Sequence, residues 1–233
     1  MEENRDRGEE HAHGATEHGA TEERPRVLVF FDYACPFCYL DQSRIESLAS
    51  EIDFEMVLVP FELRPDMPEE GWQISELEAE GHSDRVHDHL IRAAEKERLP
   101  LTVPGFLPNT HKALSVAEVA RDEGDALHRT VHREIFHAYF GRGLDIGDEG
   151  VLLQLARESG LDTEIVTAAL HEDRYADRLH QFRHVALHLG IDATPATLIC
   201  NELIIGSRPT EVLRTSLERC GVRVHGDEEA LES

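Results

Sequence analysis

Val27, Leu28, Val29, Phe30 and Phe31 form an unbroken apolar run, and its length and composition predict a strand over 26–32. Apolar positions then recur at Leu40, Ile45, Leu48 and Ala49, close to the helical period, which predicts a helix over 36–50. A second apolar run, 53–60, ends at Pro60 and predicts another strand. So short a β-α-β unit implies parallel strands joined by a right-handed crossover. After a proline-rich stretch, 61–71, helical periodicity dominates from 82 to 189. Helices are expected over 83–98, 110–123, 125–141, 148–159, 162–171 and 173–189, with stops at Gly124, Gly160 and Gly190. Pro100, Pro104 and Pro108 mark a loop between the first two. Two short apolar runs, 196–200 and 202–205, read as a hairpin. A last helix over 209–219 carries Val212, Leu213 and Leu217 on one face. The order is β-α-β, a block of helices, then β-β-α.

The two ends depart from this pattern. Residues 1–25 are polar, with an echo of His-Gly-Ala-Thr-Glu at 13 and 18, and read as a disordered acidic, histidine-containing tail; residues 221–233 read as a polar C-terminal tail. This leaves 26–65 and 190–220 as two halves of one α/β domain and 66–189 as a helical insertion. At 233 residues with 40% hydrophobic content, the chain can bury a sizeable core. Its formal charge of -24, with Lys96 and Lys112 the only lysines, argues against nucleic acid or an anionic membrane as partner. It fits a solvated acidic surface, as in a salt-adapted organism. No stretch approaches a membrane span, and no apolar segment follows the N-terminal Met1-Glu2-Glu3, so a cytoplasmic address is expected.

The chemistry concentrates at Cys35-Pro36-Phe37-Cys38, between the first strand and the first helix. That position puts Cys35 at the helix N-terminus, where free N–H groups and the dipole favour a thiolate. Pro36 suits the first turn. A thiolate attacks disulfides, and a second cysteine three residues on can resolve the mixed disulfide. Half of a zinc site and a pair of buried structural thiols are the competing readings. Cys200, at the end of an apolar strand, is expected to be a buried small hydrophobe rather than the partner of Cys220.

Other candidates carry less. Asn109 and Thr110 open a helix and suit the carboxylate of a small acid such as glutathione; ordinary capping is the alternative. His11, His13 and His18 fall in the tail, and His82, His87 and His89 early in the helical block. His128 and His132, and then His180, His184 and His188, stand at i, i+4 spacing. No carboxylate or cysteine frame completes a metal site, so solvated faces are expected and neither metal nor cofactor is assigned. Phe136, Tyr139 and Phe140 are expected to pack the helices, and Trp72 to sit in a loop that covers the site.

Several stretches in order carry a resemblance: Asp32-Tyr33-Ala34-Cys35-Pro36-Phe37-Cys38-Tyr39; Phe61-Glu62-Leu63-Arg64-Pro65-Asp66-Met67-Pro68-Glu69-Glu70-Gly71; Asn109-Thr110 with Ala113-Leu114; Phe136-His137-Ala138-Tyr139-Phe140 with Asp145-Ile146-Gly147-Asp148; Ala193-Thr194-Pro195-Ala196 with Gly206-Ser207-Arg208-Pro209. On these the chain resembles the DsbA-like thioredoxin-fold family and, within it, the FrnE-like branch. The resemblance implies an α/β thioredoxin-like fold with a helical insertion, and a thiol–disulfide oxidoreductase or isomerase with no cofactor. It implies Cys35 as nucleophile, Cys38 as resolving thiol and a cis Pro195 opposite them. Thr194 would pair its backbone with an extended substrate and tune the thiolate with its hydroxyl, beside Phe37. Partners would be protein or small-molecule disulfides and a cellular thiol reductant or oxidant. Pro36-Phe37 departs from the Pro-Trp more common in the branch and leaves the redox poise open. A glutathione-dependent isomerase or transferase, of the 2-hydroxychromene-2-carboxylate isomerase and kappa-class group, is the alternative; that group carries Ser where Cys35 stands.

Overall fold

The computed structural model describes residues 24–74, 84–102 and 104–222. Strand β1 (Arg26–Phe31) leads to helix α1 (Pro36–Glu51) and strand β2 (Glu55–Pro60). A small ribbon follows, made of β3 (Trp72–Gln73) and β4 (Phe106–Leu107), with helix α2 (Asp84–Glu97) between its strands. Next come α3 (His111–Glu123), α4 (Asp125–Phe136), a π-helical turn (His137–Gly141), α5 (Glu149–Ser159), α6 (Thr163–His171) and α7 (Ala176–His188). The chain then returns through β5 (Ala196–Ile199), β6 (Glu202–Ile205) and α8 (Thr210–Arg219). The strands lie in the order β2-β1-β5-β6. β1 and β2 are parallel, while β1–β5 and β5–β6 are antiparallel. This is the thioredoxin-like α/β fold with its helical insertion between the two halves.

The apolar run of β1 works on both faces because side chains alternate along a strand. Val27, Val29 and Phe31 face a core shared with α1, α3 to α6 and α8. Phe30 faces the opposite side, where Val59, Phe61, Ala186, Ile191 and Ala196 cover it. One face of the sheet is thereby covered by α7 through Ala186 and the other by α1, α3 to α6 and α8, with Leu179 of α7 also reaching that larger core. Local signals set several boundaries. Asp148 Oδ1 accepts from Val151 N at 2.9 Å, and Asp162 Oδ1 from Glu164 N at 2.8 Å, so each aspartate caps the helix it precedes. Gly190, at φ +80°, lies just past the end of α7 in the left-handed region.

Several expectations are corrected. The helix expected over 125–141 leaves α geometry at His137 and finishes as the π turn. A Cβ on Gly141 would stand 2.3 Å from the His137 ring, so any larger residue there would have to displace that ring. Trp72 is in a strand, paired with Leu107, and 38% exposed. His128 and His132 share a face, as their spacing says, but that face meets the core, and both are 3% exposed. The His132 ring packs edge-on to Phe31, centroids 4.4 Å apart, and its Nδ1 pairs with the Tyr33 hydroxyl at 3.1 Å. Burial pushes the His128 imidazole down to about 3 and the His132 imidazole well below its ordinary range. His180, His184 and His188 are exposed. Phe136, Tyr139 and Phe140 are buried in the main core. His11, His13, His18, His82 and the side chains of His87 and His89 lie outside the described residues, as does most of each tail.

The largest correction concerns the second cysteine pair. Cys200 is exposed rather than buried, and it forms a disulfide with Cys220. Strand end and helix end do approach: the Cα atoms are 6.4 Å apart, within the range a bridge needs. Cys200 occupies the hairpin turn at φ +53°, which throws its side chain off the strand toward the end of α8.

Candidate functional site

Cys35 is the N-cap of α1, in extended conformation at φ -87° and ψ 111°, and Pro36 takes the first helical position. Strand β1 delivers the chain to this point, and the Cys35 amide donates to Asp32 O at 3.0 Å to close the turn. The Cys38 and Tyr39 amides both donate to Cys35 O, at 3.1 and 3.3 Å. Both thiols are free, Cys35 at 6% exposure and Cys38 at 3%. The peptide bond between Thr194 and Pro195 is cis, and the Cys35 thiol donates to Thr194 O at 3.4 Å across 159 residues of sequence. The fold therefore joins the two halves of the chain at the dithiol. Thr194 Oγ1 is buried and has no hydrogen-bond partner among the described residues.

The two thiols are driven apart. A hydrogen bond from Cys38 pulls the Cys35 thiol below its ordinary value against an opposing effect of burial. Burial pushes Cys38 well above its own, and the neighbouring Cys35 sulfur adds to it. One sulfur is thus biased toward thiolate and the other held protonated, the asymmetry that attack followed by resolution needs.

Beneath them lies Asp32, 1% exposed, which sequence reasoning did not single out. The available signal was an acid inside the apolar run from Phe30 to Ala34. Asp32 Oδ1 accepts from Ala34 N at 2.7 Å; Oδ2 accepts from Leu63 N at 2.7 Å and from the Thr110 hydroxyl at 3.3 Å. Burial, opposed by those backbone bonds, pushes its carboxyl up to about 6. Its charge in turn raises the Cys35 thiol slightly. Three stretches distant in sequence converge on this one carboxylate.

Thr110 joins the Asp32 network while Asn109 stays outside it, and the polar atoms of both already have protein partners. Thr110 is bonded to Asp32, while Asn109 donates to Met67 O at 2.7 Å and accepts from His111 N at 2.9 Å. Thr110 ends before α3 without capping it by its side chain. Next to them, His111 bridges the buried Glu62 (3.1 Å) and Asp173 (2.8 Å), and the hydrogen bond to Glu62 raises its imidazole to about 9. Phe37 is half-buried against Leu40, Leu90 and Ala94, which pack α2 onto α1. Among the described residues no group of three or more His, Cys, Asp or Glu is arranged to hold a metal, and no helix is long and apolar enough to cross a membrane.

Comparison with known proteins agrees with this geometry. The uncharacterized protein YwbO of Bacillus subtilis (strain 168) is 26% identical over 192 residues, 82% of this chain and 94% of its own length. A solved structure described as a probable DsbA oxidoreductase of Streptomyces coelicolor matches with a TM-score of 0.76 at 25% identity, over 84% of this chain and 89% of that one. The cytosolic disulfide reductase DsbM of Pseudomonas aeruginosa, solved with GSH, matches at 0.60 and 18% identity, over 83% and 99%. A 2-hydroxychromene-2-carboxylate isomerase matches at 0.71 and 19%, over 89% and 100%. The last two likenesses carry the fold alone. Residues 26–218 match the family model described as DSBA-like thioredoxin domain, and the chain belongs to that family.

Proposed function

We propose that the protein is a thiol–disulfide oxidoreductase of the FrnE-like branch, working through Cys35 and Cys38 on protein or small-molecule disulfides in the cytoplasm. The observation that carries this reading is the thiol at the N-cap of α1, biased toward thiolate, 3.4 Å from Thr194 O beside the cis Pro195. The Cys35 thiolate attacks one sulfur of the substrate disulfide. A mixed disulfide forms and the other substrate sulfur leaves as a thiolate, which takes a proton from solvent. Thr194 pairs its backbone with the extended substrate, and its unpartnered hydroxyl supports the sulfur that carries charge. Cys38 then loses its proton to Asp32, whose raised carboxyl value suits it to accept one near neutral pH. The Cys38 thiolate attacks Cys35 Sγ; the second substrate sulfur leaves as a thiolate and takes up the proton held on Asp32, and a Cys35–Cys38 disulfide remains. Two equivalents of a cellular thiol, or one dithiol, reduce it by the same exchange and leave as their own disulfide, which closes the cycle; run backwards, the same steps oxidise a substrate dithiol.

The test is reduction of insulin by dithiothreitol, with wild type beside Cys35→Ser and Cys38→Ser. Acceleration by wild type, lost in Cys35→Ser, is the expected result. No acceleration by wild type would reject the dithiol reading and move the weight to glutathione-dependent chemistry.

A further inference from the structure

We infer that the groove between α1, α2 and the 207–211 turn docks an acidic, extended peptide segment of the disulfide-bearing substrate. The inference rests on the dithiol reading above and names its substrate class. The groove has a volume of about 840 Å³, against 250 and 280 Å³ for two other clefts. Its floor is apolar, from Phe37, Leu40 and Ala93, and its rim carries Arg92, Lys96 and Arg208. Phe37 lies between the two cysteines in sequence, so one end of the groove stands at the first turn of α1, although neither thiol lines it.

Charge decides the occupant. The chain carries -24 overall, and Lys96 is one of its two lysines. Arg92, Lys96 and Arg208 are nevertheless all exposed on this one groove, and their side chains pair with no described residue. Of the other charged residues of the lining, Arg44 and Glu97 answer each other, and Glu211 stays an exposed acid. Arg44 is clasped by Asp41, Glu97 and Ser207, which also answers the charge of Glu97. Glu211 is exposed, with Arg214 Nε 3.8 Å away. What remains presented to solvent is three cations against one exposed acid around an apolar floor, a net-positive groove that complements a peptide alternating acidic and apolar residues.

Size decides its length. Along α1 the groove runs from Phe37 to Ser47, roughly 15 Å at helical rise. An extended chain crosses that distance with about five residues. The occupant is thus longer than a tripeptide thiol, with acidic residues within about five positions of the reacting cysteine.

Two labelled seven-residue peptides, alike except for three Glu in one and three Gln in the other, test this directly by fluorescence anisotropy. The Glu peptide is expected to bind about tenfold more tightly, the combined effect of three exposed ion pairs. The full-length triple variant R92E/K96E/R208E should abolish or reverse the preference, with a circular dichroism spectrum like that of wild type. Equal binding of the two peptides, or a preference that survives in the triple variant, would overturn the inference whatever the dithiol does. Displacement of the Glu peptide by glutathione disulfide at equal concentration would also overturn it, assigning the groove to the smaller ligand. Disulfide-linked versions of both peptides then report on catalysis. Wild type that binds the Glu peptide but reduces neither would leave the groove standing and reject the dithiol reading.

Discussion

Cys35 caps the N-terminus of α1 and Cys220 caps the C-terminus of α8, so the two cysteine pairs meet opposite ends of a helix dipole. At the first end, unpaired N–H groups favour a thiolate; at the second, unpaired carbonyls disfavour one. The pairs differ in enclosure too. Cys35 and Cys38 are buried beside Thr194 and above Asp32, whereas Cys200 is exposed at a hairpin turn. The comparison teaches that cysteine chemistry is set by what surrounds the sulfur rather than by pairing. We read the first pair as the reactive dithiol and the second as a staple that ties the β5–β6 hairpin to α8. Since β5 begins immediately after Pro195, the staple also steadies the strand that follows the Thr194–Pro195 bond.

The sharpest way to break this comparison is to remove one sulfur from each pair. Cys35→Ser should lower insulin reduction by on the order of 10³-fold or more, as loss of a nucleophile does. The double variant C200S/C220S should retain turnover to within about twofold; a comparable loss there would show that the bridge takes part in exchange. Stability should respond in the opposite sense. Opening a bridge that spans 20 residues should lower the unfolding free energy by about 3 kcal/mol, read by urea denaturation of the C200S/C220S variant. A change below about 1 kcal/mol would remove the staple from the account.

A subtler test uses the buried acid that only the dithiol possesses. The Asp32 carboxyl is raised from 3.8 to about 6 on folding, so the folded state holds a proton that the unfolded chain has already released. Stability from this group therefore falls as pH rises from about 4 to 6 and stays low above that. Asp32→Asn relieves roughly 3 kcal/mol of that penalty at pH 7.5, but leaves Leu63 N or the Thr110 hydroxyl without its acceptor at about 1–2 kcal/mol. The expected outcome is a net gain of about 1–2 kcal/mol at pH 7.5 that turns into a loss at pH 4, by urea unfolding at both values. A gain that is the same at both values would contradict it. The smallest effect is a count. In the native, unreduced protein two thiols should react with a maleimide, Cys35 faster and with its rate midpoint below the ordinary thiol range. Four reactive thiols would contradict the bridge.

Much of the architecture was legible in the residue pattern. The run from Val27 to Phe31, the periodic positions from Leu40 to Ala49 and the stops at Gly124, Gly160 and Gly190 act within a few residues of themselves, and local sterics and hydrogen bonding decide them. The same holds for Cys35, because a strand followed by Cys-Pro leaves the cysteine at the entrance of a helix. Other features depend on contacts the pattern does not contain. Spacing put His128 and His132 on one face of α4; only packing against Phe31 and Tyr33 decided that this face is the inner one. Asp32 reads as an ordinary strand-end acid until Leu63 and Thr110 arrive from 31 and 78 residues away. Cys200 and Cys220 become a pair because a residue at φ +53° redirects one of them toward the end of α8. Periodicity states which residues share a surface. Which surface is buried, and what meets it there, is decided by the summed burial of segments far apart in the chain, and only the tertiary structure expresses that sum.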